Sequence, residues 1–83
     1  MTRNEIVEKL RDILCTVLKR DRSEAETYSE KSSLTTDLGL DSIGMLYTVI
    51  SIEELLDIRF DDVGFSDFST VKDVVDYIER KLS

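Results

Sequence analysis

The chain has no histidine and one cysteine, Cys15, in 83 residues. A lone cysteine cannot close an internal disulfide, and without histidine there is neither a Cys/His metal set nor a histidine-based catalytic triad. These absences weigh against an enzyme. No apolar run approaches the roughly 20 residues that a membrane span needs, and the opening Met1-Thr2-Arg3-Asn4-Glu5 lacks a signal peptide's apolar segment. The cytoplasm is the expected compartment. Positive charge is scarce as well: 11 Lys and Arg face 18 Asp and Glu, for a net charge of −7. Such a field repels nucleic acid and favours partners with basic patches. What is present, 41% hydrophobic and 35% charged residues, suits one packed domain over residues 1–83, near the lower size for a core without disulfides or metal. No internal repeat, low-complexity tract or linker interrupts it. One small core consumes the apolar residues, so a monomer is expected.

Helical periodicity organises the chain. Thr2 and Glu5 are spaced as a capping box, and Ile6, Val7, Leu10, Ile13, Leu14, Val17 and Leu18 follow at three-and-four spacing. They predict a first helix ending near Lys19-Arg20, where cations suit the negative helix end. Cys15 falls away from the centre of the stripe, and with no base or second thiol beside it reads as a partly exposed bystander. Residues 21 to 40 are polar and long for a connection. Leu34 and Leu38 are its expected plugs, Gly39 supplies a turn, and Ser23 to Tyr28 allow one helical turn. The second helix should run from Asp41 or Ser42 to about Leu56, with Ile43, Leu46, Val49, Ile50 and Leu56 inward. Residues 57 to 68 allow a short turn of helix anchored by Ile58, Phe60, Phe65 and Phe68. The last helix begins after a Ser69-Thr70 cap and carries Val71, Val74, Val75, Ile78 and Leu82 on one face. The expected fold is all-α: a four-helix bundle of three long helices and one short, with a long loop between the first two long ones.

One stretch has the marks of chemistry. In D-L-G-L-D-S-I-G-M-L, residues 37 to 46, Ser42 opens an apolar helical run directly behind Asp41. A serine in the first turn has its hydroxyl outside the hydrogen-bonded ladder, beside free N–H groups and the positive end of the macrodipole, where an attached anion is favoured. Alone, D-S-I is also an ordinary helix cap. Ile43 and Met45 lie near the exposed helix start. Core packing has the stronger claim on Ile43, whereas an adaptable methionine at Met45 suits a partner interface. Glu53, Glu54 and Asp57 form an acidic patch at the far end, suited to a partner's Arg or Lys or else to plain solvation. The negative pole coincides with this helix and the segment after it, because residues 41 to 67 hold seven acidic side chains against Arg59.

With Leu34, Leu38, Gly39, Leu40, Asp41, Ser42 and Ile43 in place and E-E-L-L-D-I-R-F behind them, the sequence resembles the acyl carrier protein family over nearly its whole length. The resemblance implies that a phosphopantetheinyl transferase, using coenzyme A and magnesium, esterifies Ser42 with 4'-phosphopantetheine. The terminal thiol of that arm would hold acyl intermediates as thioesters in fatty-acid, polyketide or related biosynthesis, while the carrier itself catalyses nothing. It further implies that Asp41 helps present the site to the transferase's magnesium or basic residues. Acyl-activating enzymes, ketosynthases and other biosynthetic enzymes would dock through basic patches, against Ile43, Met45, Glu53, Glu54 and Asp57. Two positions depart from the fatty-acid-synthesis carriers, which commonly have an acidic residue two positions after the serine and another a turn later; this chain has Gly44 and Tyr47. Gly44 is similar to the D-alanyl carriers, so an aminoacyl, D-alanyl or peptidyl carrier stays open. Glycine there costs up to ~1 kcal/mol relative to alanine, which suggests close approach of the arm or a partner. Phe60, Phe65 and Phe68 lie where such bundles open an acyl pocket. Core anchoring is their other role, and if they fill the bundle the cargo is short or polar. The reading of another class is an acidic helical interaction domain in which Ser42 is only a cap. A start at methionine and an end soon after the last helix fit a free-standing protein, and a domain cut from a megasynthase would look the same.

Overall fold

A computed structural model describes residues 1–64 and 67–82, and among these it has four α-helices and no strand. They are α1 (Arg3–Leu18), α2 (Arg22–Ala25), α3 (Ser42–Leu56) and α4 (Val71–Leu82). The first helix begins at the predicted capping box: Glu5 N–H donates to Thr2 Oγ1 at 3.2 Å, and Thr2 N–H donates to the Glu5 carboxylate at 2.8 Å. Its stripe buries Ile6, Val7, Leu10, Ile13 and Leu14, with Val17 and Leu18 packed at the edge of the core. Lys19 ends it in the left-handed conformation, φ 55°. Cys15 is half-buried. The remaining three helices each pack on α1, which is therefore the centre of the bundle.

The long connection is anchored as its leucines predict. Leu34, Leu38 and Leu40 are buried, and Gly39 turns the chain at φ 75°. Backbone bonds then tie this loop to the start of α4: Leu34 N–H donates to Ser69 O at 3.0 Å, Val71 N–H to Ser32 O at 3.1 Å and Lys72 N–H to Glu30 O at 2.8 Å. The last two satisfy N–H groups that a helix start leaves without intrahelical partners. In addition, the Asp73 carboxylate accepts from Ser69 and Thr70 N–H, at 2.8 and 3.1 Å, and Asp73 N–H donates to Thr70 Oγ1 at 3.3 Å. The expected Ser69-Thr70 cap is thus a capping box with aspartate in the third position. In α4, Val71, Val74, Val75 and Ile78 are buried as expected and Tyr77 joins them, while Leu82 is exposed where the stripe outruns the core. Tyr77 packs on Phe60 and Phe68 with ring centroids 4.7 and 5.7 Å away, and its hydroxyl donates to Asp62.

The described residues 57–64 hold no α-helix, Asp67 N–H donates to Gly64 O at 3.1 Å, and Phe65 lies outside the described residues. The short α-helix is α2, between α1 and α3, at the turn that Ser23 to Tyr28 allow. Ala25 and, three residues on, Tyr28 are buried there, while Arg22 pairs with Glu8 and with Asp12 of α1, the latter at 2.8 Å. Tertiary contacts hold a turn that local propensity leaves marginal. One expectation needs correction, the rotation of α3. Val49 is buried and Leu56 partly so, but Ile43, Leu46 and Ile50 are exposed; the inward face is Met45, Thr48, Val49 and Ile52. No charged residue lies between Ser42 and Ile52, so both faces are apolar and the periodicity has no contrast to choose between them. Thr48 tolerates burial because its hydroxyl donates to Gly44 O at 2.8 Å.

Candidate functional site

The loop, α3 and α4 converge on the start of α3. Asp41 is its N-cap, in extended conformation, and its Oδ1 accepts from Gly44 N–H at 2.7 Å. Ser42 is therefore the first helical residue and not the cap. Its hydroxyl is solvent-exposed and makes no hydrogen bond among the described residues, so the inert-cap role for this serine is already filled by its neighbour. The first-turn N–H groups and the helix dipole make this end positive.

A cleft of about 650 Å³ opens beside Ser42. Leu34, Leu40, Met45 and Phe68 form its apolar wall, and Ser33, Thr35 and Ser69 bring hydroxyls to it. Met45 is consequently a wall of the cleft and part of the core, 6% exposed, not an outward contact. Ile43 exchanges places with it and faces solvent. Phe60 and Phe68 pack on Tyr77 and so anchor the core, while Phe68 also lines the cleft. The linings from Ser33, Thr35 and Ser69 escaped sequence reasoning, since the bonds joining residues 30–34 to 69–72 cross a long sequence separation and leave no periodic trace.

Gly44 has a local explanation. A Cβ there would stand 2.9 Å from Leu40 Cδ1 and 3.1 Å from Asp41 Oδ1. The close approach is thus by the chain's own buried leucine and its cap, which accounts for the glycine without a bound arm or partner.

Seven acidic residues occupy this region, and the structure uses five of them internally. Asp41 caps α3, Glu53 accepts from Phe60 N–H at 2.8 Å, and Asp67 accepts from Gly64 N–H at 2.8 Å. Asp61 pairs with Lys81 at 2.9 Å, and Asp62 takes the Tyr77 hydroxyl. Those bonds hold the Asp61 and Asp62 carboxyls below the usual aspartate range. Glu54 and Asp57 are exposed, with side chains that make no ion pair or hydrogen bond among the described residues. With Glu53 and Ile50 they line a second cleft, of about 370 Å³, at the far end of α3. The structure therefore groups Asp41, Ser42 and Met45 at one end of the helix and Glu53, Glu54 and Asp57 at the other.

Residues 8–78 match the protein family described as phosphopantetheine attachment site. The acyl carrier protein of Thermotoga maritima is 36% identical over 81 residues, which is 98% of this chain and 96% of that protein. The chain belongs to the acyl carrier protein family. The acyl carrier protein of Coprothermobacter proteolyticus is 35% identical over 82 residues, 99% of this chain and 96% of the relative. That of Aster yellows witches'-broom phytoplasma is 36% identical over 78 residues, 94% and 99% respectively. The cofactor of an acyl carrier is 4'-phosphopantetheine, and the start of α3 fits such a group: an unbonded exposed hydroxyl, a positive helix end for a phosphodiester, and an adjoining cleft with an apolar wall and hydroxyl groups. Among the described residues no cluster of acidic or cysteine side chains is arranged to hold a metal ion, and no helix is long and apolar enough to cross a membrane.

Proposed function

We propose that Ser42 bears the 4'-phosphopantetheine group and that residues 1–83 work as a single, monomeric, non-catalytic carrier domain in the cytoplasm. The observation that carries this reading is the free Ser42 hydroxyl at the first position of α3, with the capping role taken by Asp41. When bound, the group supplies a terminal thiol that holds acyl cargo as a thioester. The chain's own residues orient the attachment point. Asp41 fixes the first turn through Gly44 N–H, and its exposed carboxylate faces the magnesium or basic residues of a phosphopantetheinyl transferase. The first-turn N–H groups favour the phosphodiester's negative charge. Ile43, Glu54 and Asp57 face partners, whereas Glu53 chiefly holds the Phe60 backbone and Met45 supports the turn from beneath.

The partners of this reading are a transferase, acyl-activating enzymes, ketosynthases and other biosynthetic enzymes with basic patches, in fatty-acid, polyketide or related synthesis. A tethered cargo raises its effective concentration at each of their active sites. Gly44 keeps an aminoacyl, D-alanyl or peptidyl carrier as the alternative reading, and Leu40 and Asp41 supply the local packing that the glycine satisfies.

Intact mass after incubation with a promiscuous phosphopantetheinyl transferase, coenzyme A and magnesium tests the proposal. An adduct of about 340 Da, the mass of the arm, is expected on the native chain and absent from Ser42→Ala. That variant should keep its stability within about 0.5 kcal/mol, since the hydroxyl makes no hydrogen bond among the described residues. A folded native chain left unmodified by two transferases would overturn it.

A further inference from the structure

A seam runs from the first turn of α4 to the cleft beside Ser42. One bank is the loop over residues 30–35, and the other is the segment that leads from Phe68 into α4. Backbone bonds close it: Leu34 N–H to Ser69 O, Val71 N–H to Ser32 O and Lys72 N–H to Glu30 O, at 3.0, 3.1 and 2.8 Å, with Ser33 and Thr70 paired as an isolated antiparallel bridge. At one end of the seam the two banks form a wall of the cleft, with Ser33, Leu34 and Thr35 on one side and Phe68 and Ser69 on the other. No strand flanks the bridge among the described residues, and so short a pairing is marginal unless other groups hold it.

Arg3, the first residue of α1, reaches both banks. On the loop side its Nε donates to Glu30 Oε1 at 3.1 Å, joined by Nη2. On the α4 side Nη2 donates to Asp76 Oδ1 at 2.7 Å and Nη1 to Glu79 Oε1 at 3.1 Å. Lys72 holds the other oxygen of Asp76 at 2.7 Å from the same bank, whereas the Glu30 carboxylate bonds to Arg3 alone among the described residues. A lone surface ion pair contributes little, but a planar guanidinium forked between carboxylates of separate elements fixes their geometry. Its loss does more than subtract bonds. Glu30 would then oppose Asp76 and Glu79 across the seam, with Lys72, already bound to Asp76, as the remaining cation of the network.

We infer that Arg3 is the latch of the cleft wall. Engaged, it keeps the seam shut and the cleft narrow; disengaged, it leaves like charges on the two banks, which part and uncover Met45, a cleft residue 6% exposed in the closed form. The latch governs the space beside Ser42, so its use by the carrier rests on Ser42 as the attachment point, while the latch itself belongs to the unmodified chain.

Amide hydrogen exchange of the full unmodified chain, followed by NMR, tests this, with oxidation of Met45 by hydrogen peroxide, read by peptide mass, as a second probe. In Arg3→Leu the Leu34, Val71 and Lys72 N–H groups should exchange about tenfold or more faster, as the loss of charge-assisted bonds requires, while those of Val49 and Ile52 in α3 stay within about twofold of native. Met45 oxidation should rise about threefold or more, with the exposed Met1 as the internal reference. Adding Glu30→Gln to Arg3→Leu should recover roughly half or more of the acceleration on a logarithmic scale, because one bank loses its like charge; a purely structural role for Arg3 predicts no such rescue. Arg22→Leu removes a guanidinium that binds Glu8 and Asp12 instead, and is the control expected to match the native chain at every probe. Acceleration that extends equally to Val49 and Ile52 would make Arg3 a general stabiliser and overturn the latch. So would seam amides or Met45 within about twofold of native in Arg3→Leu, or a double variant that exchanges as fast as Arg3→Leu. These readouts need no cofactor, so a native chain that takes up no phosphopantetheine would refute the attachment point separately.

Discussion

A Cβ at Gly44 would meet Leu40 Cδ1 at 2.9 Å and Asp41 Oδ1 at 3.1 Å. Leu40 is buried in the core and Asp41 Oδ1 is held by the Gly44 N–H, so neither yields freely. Gly44→Ala gains up to ~1 kcal/mol of helix propensity but overpacks the turn at a cost of about 1–3 kcal/mol. A net loss of about 1 kcal/mol in urea denaturation is expected from those two terms, and a gain in stability would mean that Leu40 moves aside without cost. The candidate attachment residue was readable in the sequence, because a serine behind an aspartate at the head of an apolar run needs no tertiary information. Which of the two is the cap was not readable. Either could occupy that place, and the choice follows from Leu38 and Leu40 being buried just ahead, which sets where the chain enters the helix.

At the scale of elements, capping and cross-links by carboxylates recur. Glu5 is held below the usual glutamate range by the backbone of Thr2, Glu8 by Arg22, Asp73 by the N–H groups of Ser69 and Thr70, and Asp76 by Lys72 and Arg3. Asp61 and Asp62 are lowered likewise by Lys81 and Tyr77. A carboxyl lowered in the folded state contributes stability that is complete above its unfolded pKa and disappears as the pH falls through the folded value. Thermal stability should therefore fall steeply below about pH 4, the ordinary carboxylate range, and Asp73→Asn should flatten part of that decline. A melting temperature constant from neutral pH down to about pH 3 would contradict this. The ends of α1 and α4 were legible because Thr2-x-x-Glu5 and Ser69-Thr70 are local signals. α2 was legible only as an allowed turn over Ser23 to Tyr28, since Ala25, Tyr28 and the Arg22 pairs with Glu8 and Asp12 act only once α1 lies beside them.

For the whole molecule, the two faces of α3 give opposite expectations for similar side chains. Ile52 is fully buried, so Ile52→Ala should cost about 2–5 kcal/mol, a large share of the roughly 5–15 kcal/mol available to a small domain. Ile50→Ala, two residues away on the exposed stripe, should change stability by no more than about 0.5 kcal/mol. Equal losses in chemical denaturation would place both residues in the core. By itself, the sequence determined the helical class, the extents of α1, α3 and α4, the leucine plugs of the long loop and the serine at the head of α3. Each of these rests on a local cap or on a contrast between apolar and charged positions. Only the tertiary structure decided which way α3 turns, because a helix without charges from Ser42 to Ile52 offers two equally apolar faces. Packing against α1, with Leu38 and Leu40 seated ahead of the helix, buried Met45, Thr48, Val49 and Ile52 and left Ile43, Leu46, Tyr47 and Ile50 to the solvent.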